Sequence, residues 1–128
     1  MARLLVLNVK NSERDHVYVA ECKGIDDYYK HLECDCFDIA NRKVGNKRFD
    51  IFCDDVGLYD ENPIVSAISS SQEPMLVGNL IFANHDSEGN TVGLSDEDID
   101  EIMSNLFMAV GIRHDGNIDA NVVVKADY

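Results

Sequence analysis

The stretch from Met75 to Val110 constrains the fold most, because four local patterns follow one another in it. Residues 75–83 form an apolar run of strand length, and residues 84–90 have the Asn, Asp, Ser and Gly content of a tight turn. Residues 91–94 then suit a short return strand before an amphipathic helix. This order predicts a sheet that is packed by the helix.

The helix is predicted over residues 95–110. The Ser95 hydroxyl can cap the free main-chain amides of the first turn, and the three acids that follow it favour the positive end of the helix dipole. Gly111 suits the position at which a helix ends. Apolar residues recur at three- and four-residue spacing and define one face of this helix: Ile99, Ile102, Met103, Leu106 and Val110.

Other segments also have strand or helix character. Residues 3–9 are rich in Leu and Val, which is typical of a central strand, and residues 16–20 alternate as a second strand. The apolar spacing over residues 25–32 predicts a short helix, and Ile118–Lys125 has strand character. This tail either completes the sheet or forms an edge that pairs with a second copy of the chain.

Two alternating runs, residues 36–41 and 48–53, predict a hairpin with Gly45 and Asn46 near its tip. We expect the hairpin to contribute one apolar face to the core. The large side chains assigned to this face are Phe37, Ile39, Phe49 and Ile51.

Length and composition indicate one domain. The 128 residues are 45% hydrophobic, which is enough for an ordinary core. We therefore predict a single α+β domain over residues 1–128, with residues 112–128 as an extra edge strand or tail. Its sheet is mainly antiparallel and is packed by a main helix at 95–110 and a short helix at 25–32.

Charge is distributed unevenly along the sequence. Thirteen acids and no Lys or Arg lie between Arg48 and Arg113, so this segment accounts for the whole net charge of −13. Such an asymmetry argues against direct nucleic-acid binding through phosphate contacts. Two interpretations stay open: the acids only aid solubility, or they form a surface that meets a basic protein or a cation.

A cytoplasmic location is expected. The sequence has no apolar run of about 18 residues that could span a membrane, and its apolar start is too short for a signal peptide. Four cysteines are too sparse for a disulfide scaffold, and we expect reduced, mostly buried thiols. The spacing of His31, Cys34 and Cys36 is shorter than that of structural zinc sites, which disfavours zinc.

Several short segments resemble a family of small proteins from bacteria, phages and mobile elements that is known only as a domain of unknown function. The resemblance covers about residues 3–107. It implies a compact α+β domain and an accessory role in a phage or mobile element, and it carries no catalytic residues. The segments that carry it are residues 4–7, 51–57, 62–63, 77–83 and 93–99.

No catalytic motif or ligand set is apparent. Asp86, Glu88, Asn90 and Glu97 match the first, third, fifth and twelfth positions of a calcium loop, but Thr91 occupies the position at which that loop needs Gly. A hairpin turn followed by a capped helix explains the same residues. We therefore expect no cofactor, no metal and no catalytic residue.

The leading functional hypothesis is a non-catalytic accessory protein that binds a basic host protein through its acidic half. Carboxylates along one helix face also have a spacing comparable to that of nucleic-acid phosphates, so mimicry of nucleic acid is part of this hypothesis. A homodimer through Ile118–Lys125 is a further one. The predicted protein-binding residues are Glu97, Asp100, Glu101, Ser104 and Met108.

The alternative hypothesis is a small-ligand or nucleotide-binding module. Its pocket would lie between the loop at residues 54–63 and the strand end at residues 79–85, where neutral polar groups can fix a ligand. The predicted pocket residues are Tyr59, Asn62, Asn79 and Asn84.

Overall fold

Two sheets and two helices make up the described part of the protein. The structure is a computed structural model that describes residues 2–9, 16–34, 36–54, 64–112, 116 and 118–128. In chain order the elements are β1 (Ala2–Leu7), β2 (Val17–Cys22), α1 (Ile25–Leu32), β3 (Phe37–Val44), β4 (Lys47–Asp54), β5 (Val65–Ile68), β6 (Pro74–Val77), β7 (Leu80–His85), β8 (Thr91–Val92), α2 (Asp96–Met103), β9 (Leu106–Ile112) and β10 (Ile118–Lys125).

The larger sheet has six strands in the order β2-β1-β7-β4-β3, with the short β8 paired to β7. Its inner strands are apolar on both faces, since successive side chains of a strand point to opposite sides. In β1, Leu4 and Val6 belong to one core cluster, whereas Leu5 and Leu7 belong to the other. The prediction of a central N-terminal strand is therefore confirmed.

The layers follow from these two clusters. One face of the larger sheet packs against α1, which contributes the fully buried Leu32. The opposite face packs against the smaller sheet and α2, which contribute Ala67, Val124 and Ile102. The larger sheet is thus the middle layer, and its burial on both sides explains the strength of the apolar pattern in the sequence.

The smaller sheet has four strands in the order β6-β5-β10-β9. Its β5 and β10 are parallel, and all other strand pairs in the described residues are antiparallel. The predicted tail strand is confirmed as β10, which places Val123 and Val124 in the interior. The α+β class and the mainly antiparallel pairing are confirmed, but the prediction of one sheet is wrong, because the strands are divided between two sheets.

The helix predicted over residues 95–110 is wrong in its second half. The helix α2 ends at Met103, and the chain re-enters a sheet as β9 at Leu106. Ser104 is the C-cap of the helix. The next residue, Asn105, leads into the sheet: its side chain donates to the main-chain oxygen of Glu101, and its own main-chain oxygen accepts from Lys125. Pairing with β10 then outweighs the local helical spacing, and Gly111 lies in a strand.

The single strand predicted over residues 75–83 is two strands in different sheets. The chain breaks at Gly78, whose φ of 76° lies in the left-handed region that favours glycine, and at the buried Asn79. This break carries the chain from β6 of the smaller sheet into β7 of the larger one. The hairpin β7–β8 and its turn are present as predicted.

The predicted hairpin is confirmed as β3–β4 with a turn at Gly45 and Asn46, but the assignment of its faces is wrong. A two-residue turn pairs odd-numbered residues of β3 with even-numbered residues of β4, so Ile39 lies opposite Phe52. Phe37 therefore packs in the α1 layer, and Ile39 is half exposed. Phe49 and Ile51 belong to the opposite cluster.

Candidate functional site

The outward side of α2 carries three exposed carboxylates. The side chains of Asp96 and Glu97 are 88% and 89% exposed, and Asp100 is exposed one turn further along. Met103, at the end of the helix, is a half-exposed apolar residue. These four residues define what we call the α2 surface.

The inward side of α2 is fixed at its N-terminus by a reciprocal capping box. The Ser95 Oγ accepts from the main-chain amide of Asp98 at 3.1 Å, and the Asp98 carboxylate accepts from the main-chain amide of Ser95 at 3.0 Å. Two amides at the helix start are thereby satisfied. The predicted cap is confirmed, and Asp98 is the acid of the first turn that points inward.

The same Asp98 carboxylate joins α2 to the larger sheet. Its Oδ1 lies 3.0 Å from Lys47 Nζ on β4, and its Oδ2 accepts from Asn84 Nδ2 on β7 at 2.8 Å. Burial alone would raise the pKa of Asp98, but the hydrogen bonds from Ser95 and Lys47 lower it by more, so the net shift is downward. The same contact shifts the pKa of its partner in the opposite direction: the hydrogen bond to Asp98 raises the pKa of Lys47.

A second contact joins α2 to the β3–β4 turn. The main-chain amide of Asn46 donates to Glu101 Oε1 at 2.8 Å. Gly45 has a φ of 64°, and a Cβ at this position would collide with the Glu101 carboxylate. We refer to Lys47, Asn84, Ser95, Asp98 and Glu101 together as the α2 network.

The structure separates the five residues that were predicted to bind a protein. Glu97 and Asp100 lie on the α2 surface, whereas Glu101 is engaged by the β3–β4 turn. The Ser104 Oγ donates to the main-chain oxygen of Asp100 at 2.7 Å. Met108 is 59% exposed but lies on β9, because α2 ends before it. Two exposed residues, Asp96 and Met103, were not in the predicted set.

Basic residues from other strands partly balance the acidic stretch. Arg3 on β1 forms an ion pair with Asp96 at 2.7 Å, and Lys47 lies 3.8 Å from Glu97. The sequence could not show these pairs, since the partners are far apart along the chain. Both acids keep nearly nine-tenths of their side-chain surface exposed, so they stay accessible to a partner.

A second polar group lies where β1, α1 and β7 meet. The fully buried Asn79 accepts from the main-chain amide of Val9 at 2.8 Å and donates to the main-chain oxygen of His31 and to Glu33 Oε2, both at 3.0 Å. Asn8, which is 1% exposed, also donates to Glu33 Oε2 at 3.4 Å. We call Asn8, Glu33 and Asn79 with these main-chain groups the Asn79 cluster.

The residues predicted to line a ligand pocket are not shown to lie together. Tyr59 and Asn62 lie outside the described residues. Asn79 precedes β7 and Asn84 lies near its other end, so about 17 Å of strand separates them at roughly 3.4 Å per residue. Both amides donate to protein oxygens, Asn79 within its cluster and Asn84 to Asp98.

The calcium-like loop is used as a hairpin turn. The Asp86 carboxylate accepts from the main-chain amides of Glu88 and Asn90, both at 2.9 Å. The hydrogen bond from Asn90, the largest contribution, lowers the pKa of Asp86. This geometry matches the interpretation of a hairpin turn that leads to a capped helix.

Neither metal chemistry nor a membrane span is indicated in the described ranges. No group of three or more His, Cys, Asp or Glu residues in these ranges could hold a metal ion. Of the four cysteines, Cys22 and Cys53 are buried, Cys34 is half-buried and Cys36 is exposed. Neither helix in the described part of the chain has the length and apolarity to cross a membrane.

Comparison with known proteins identifies a family. No curated protein and no solved structure is significantly similar to the chain. The model of a domain of unknown function, DUF3846, matches residues 3–106, which agrees with the resemblance seen in the sequence. The match covers the larger sheet, both helices and the first two strands of the smaller sheet, and it ends where β9 begins. The chain therefore belongs to the DUF3846 family of domains of unknown function.

Proposed function

We propose that the protein is a non-catalytic binding protein that engages a basic surface of a host protein through the α2 surface. The observation that carries this proposal is the division of α2 into two sides. Asp98 and Glu101 fasten the helix to the larger sheet, whereas Asp96, Glu97 and Asp100 remain exposed. The carboxylates are thus presented from a fixed backbone.

A fixed backbone favours binding for a physical reason. Association costs free energy when loops and side chains must be ordered, and a helix that is already capped and paired avoids part of that cost. Exposed carboxylates of one sign also speed the encounter with a basic partner through long-range attraction. The geometry of α2 supports such a partner, because the acids are both exposed and held in place.

Met103 adds an apolar contact to the α2 surface. It is 48% exposed and lies in the last turn of the helix, one turn after the acids. Interfaces commonly combine a central apolar contact with a charged rim. We propose that Met103 is buried by the partner while Glu97 and Asp100 pair with its basic residues.

The proposal also includes a cellular setting and a mimicry of nucleic acid. The role in a phage or mobile element and the cytoplasmic location rest on the sequence resemblance and composition. The helix α2 has eight residues, which gives a length of about 12 Å at 1.5 Å per residue. This length offers only a short row of carboxylates, so the mimicry of nucleic acid would be confined to a small contact.

Affinity capture from a host lysate tests the proposal and can name the partner. The tagged protein is used at about 50 mM and about 200 mM salt, because an exposed acidic interface weakens across this range. We expect a basic protein to be retained at the lower salt concentration and reduced at the higher one. Capture of no protein at either concentration would contradict the proposal and would favour a thermal-shift screen of nucleotides and metabolites for the small-ligand alternative.

A further inference from the structure

Besides the two-residue β8, four strands lie at the ends of the described sheets, and three of them carry features that discourage pairing with another chain. The strand β2 contains Glu21, and β3 contains Asp38, Arg42 and Lys43. The strand β6 begins with Pro74, and its pairing with β5 shifts register twice. Charges, proline and bulges are the usual ways in which proteins keep a strand edge from recruiting another strand.

The fourth edge, β9, has none of these features. Its seven residues, Leu106–Ile112, contain no charge and no proline. It pairs with β10 from end to end without a register shift, so its backbone is regular. Phe107 is 43% exposed and Met108 is 59% exposed. A long, regular and apolar edge strand with exposed large side chains is the arrangement that a second strand can extend.

The sequence of β9 is suited to pairing with itself. An antiparallel pair centred on Ala109 would place Phe107 of each copy opposite Gly111 of the other. An aromatic side chain across from a strand glycine covers the backbone that the glycine leaves open, which stabilises sheets. The same symmetric register is isologous, so it closes a dimer and does not continue into a fibre.

Charge favours a second copy over a charged partner at this edge. The chain has a net charge of −13, and β9 contributes none of it. A basic partner finds its carboxylates on the α2 surface, whereas two neutral β9 strands meet without burying any charge between them. The remaining repulsion between two acidic chains acts at longer range and is screened by salt.

We infer that two copies of this chain associate through antiparallel pairing of β9, which joins their four-stranded sheets into one continuous sheet. We place the pairing on β9, because no described strand pairs with its outer edge, whereas β10 pairs with β9 on one side and with β5 at Val124 and Lys125 on the other. Stable interfaces bury about 800 Å² per partner, and one strand edge supplies only part of this area. The dimer is therefore concentration-dependent.

Analytical ultracentrifugation over a wide range of protein concentration tests the inference. Wild-type protein is measured at about 50 mM and about 500 mM salt, where screening of the net charge differs most. We expect a monomer–dimer equilibrium that shifts towards the dimer at higher salt. This salt dependence is opposite to that expected for a basic partner, so failure of one proposal leaves the other testable.

Two matched variants locate the interface. Met108→Lys adds a positive charge to exposed β9, and Val19→Lys makes the same change at a residue that is 50% exposed on β2, the edge of the larger sheet. We expect Met108→Lys to weaken self-association by about tenfold or more, since a lysine on an edge strand opposes pairing, and Val19→Lys to leave it unchanged. Circular dichroism checks that both variants are folded.

Three results would overturn the inference. Wild-type protein could remain a monomer at every concentration and salt, or its dimer could weaken as salt rises. Alternatively, folded Met108→Lys protein could dimerise as well as Val19→Lys protein. Amide hydrogen exchange gives a direct check, because main-chain amides of β9 should become more protected at high protein concentration.

Discussion

The α2 network and the Asn79 cluster both join a helix to the larger sheet, but they do so with different chemistry. The α2 network uses charged side chains near the surface, with Lys47 bound to Asp98 and Asn46 bound to Glu101. The Asn79 cluster uses a fully buried amide that satisfies the main-chain amide of Val9, just after β1, and the main-chain oxygen of His31 in α1. The stability that the α2 network contributes should therefore depend on pH and salt. The stability that the Asn79 cluster contributes should depend mainly on the presence of the Asn79 side chain.

This difference bears on function. A buried, fully used amide fixes the architecture and has little capacity left for a ligand. The α2 network instead uses its inner charges for attachment and leaves the outer charges exposed, so one helix serves both stability and binding. We expect variants to separate these roles, and the following predictions run from the largest expected effect to the smallest.

Replacement of Asn79 by Leu should have the largest effect on stability. It would leave the Val9 amide and the His31 carbonyl without this partner in the interior, at a cost of about 2–4 kcal/mol in the free energy of unfolding. Urea denaturation measures this cost. Asn90→Ala is the control, since exposed Asn90 donates its side-chain amide to Asp86 at 3.3 Å, and it should cost less than about 1 kcal/mol. Equal effects would contradict the buried role of Asn79.

Replacement of Gly45 by Ala tests the contact between the β3–β4 turn and α2. The new methyl group would meet the Glu101 carboxylate and would also adopt a left-handed φ, so we expect a loss of about 2 kcal/mol. Gly89→Ala separates the two causes, because Gly89 has a φ of 85° and nothing near a new Cβ. Its cost should be about 1 kcal/mol from backbone strain alone. A Gly45→Ala cost no larger than this would argue against the contact.

Replacement of Asp98 by Asn should lower stability by about 1 kcal/mol at neutral pH and change its pH dependence. The folded-state pKa of Asp98 is lowered, so its stabilisation is present above the unfolded pKa of about 3.9 and is lost as pH falls through the folded value. Wild-type protein should therefore lose more stability than Asp98→Asn between about pH 4 and pH 2. Parallel pH profiles from urea titrations would contradict the role assigned to this carboxylate.

Replacement of Asp96 by Asn should have the smallest effect. Its partner Arg3 is 45% exposed and Asp96 is 88% exposed, and such surface pairs contribute about 0–1 kcal/mol. We expect a change in unfolding free energy below about 0.5 kcal/mol at 150 mM salt, measured in the same urea series. A loss as large as that of Asp98→Asn would show that the outer acids stabilise the fold and are not free for binding.

Much of the fold could be predicted because its signals are local. The bounds of α1, the cap at Ser95 and the turn at Gly45 each depend on residues adjacent in sequence. The helix predicted over residues 95–110 is too long, because the apolar spacing from Ile99 to Val110 fits a helix. In the structure, residues from Leu106 onward pair with β10 as the strand β9. Ser104 and Asn105, a turn-prone pair, were the signal that was missed.

The sites were harder to predict because their partners are distant in sequence. Asn79 is 70 positions from Val9, and Lys47 is 51 positions from Asp98. No periodicity links such residues. The faces of the β3–β4 hairpin, in contrast, could have been derived from the two-residue turn, since that turn fixes which residues lie opposite each other.

Capture with two charge-reversed variants tests the central claim most directly. Glu97→Lys with Asp100→Lys changes the α2 surface, and Glu73→Lys with Glu88→Lys changes exposed acids elsewhere; both raise the net charge from −13 to −9, because each substitution adds two units. At about 50 mM salt we expect the first variant to lose the captured basic protein and the second to retain it. Equal retention by both variants, or equal loss, would contradict binding through α2.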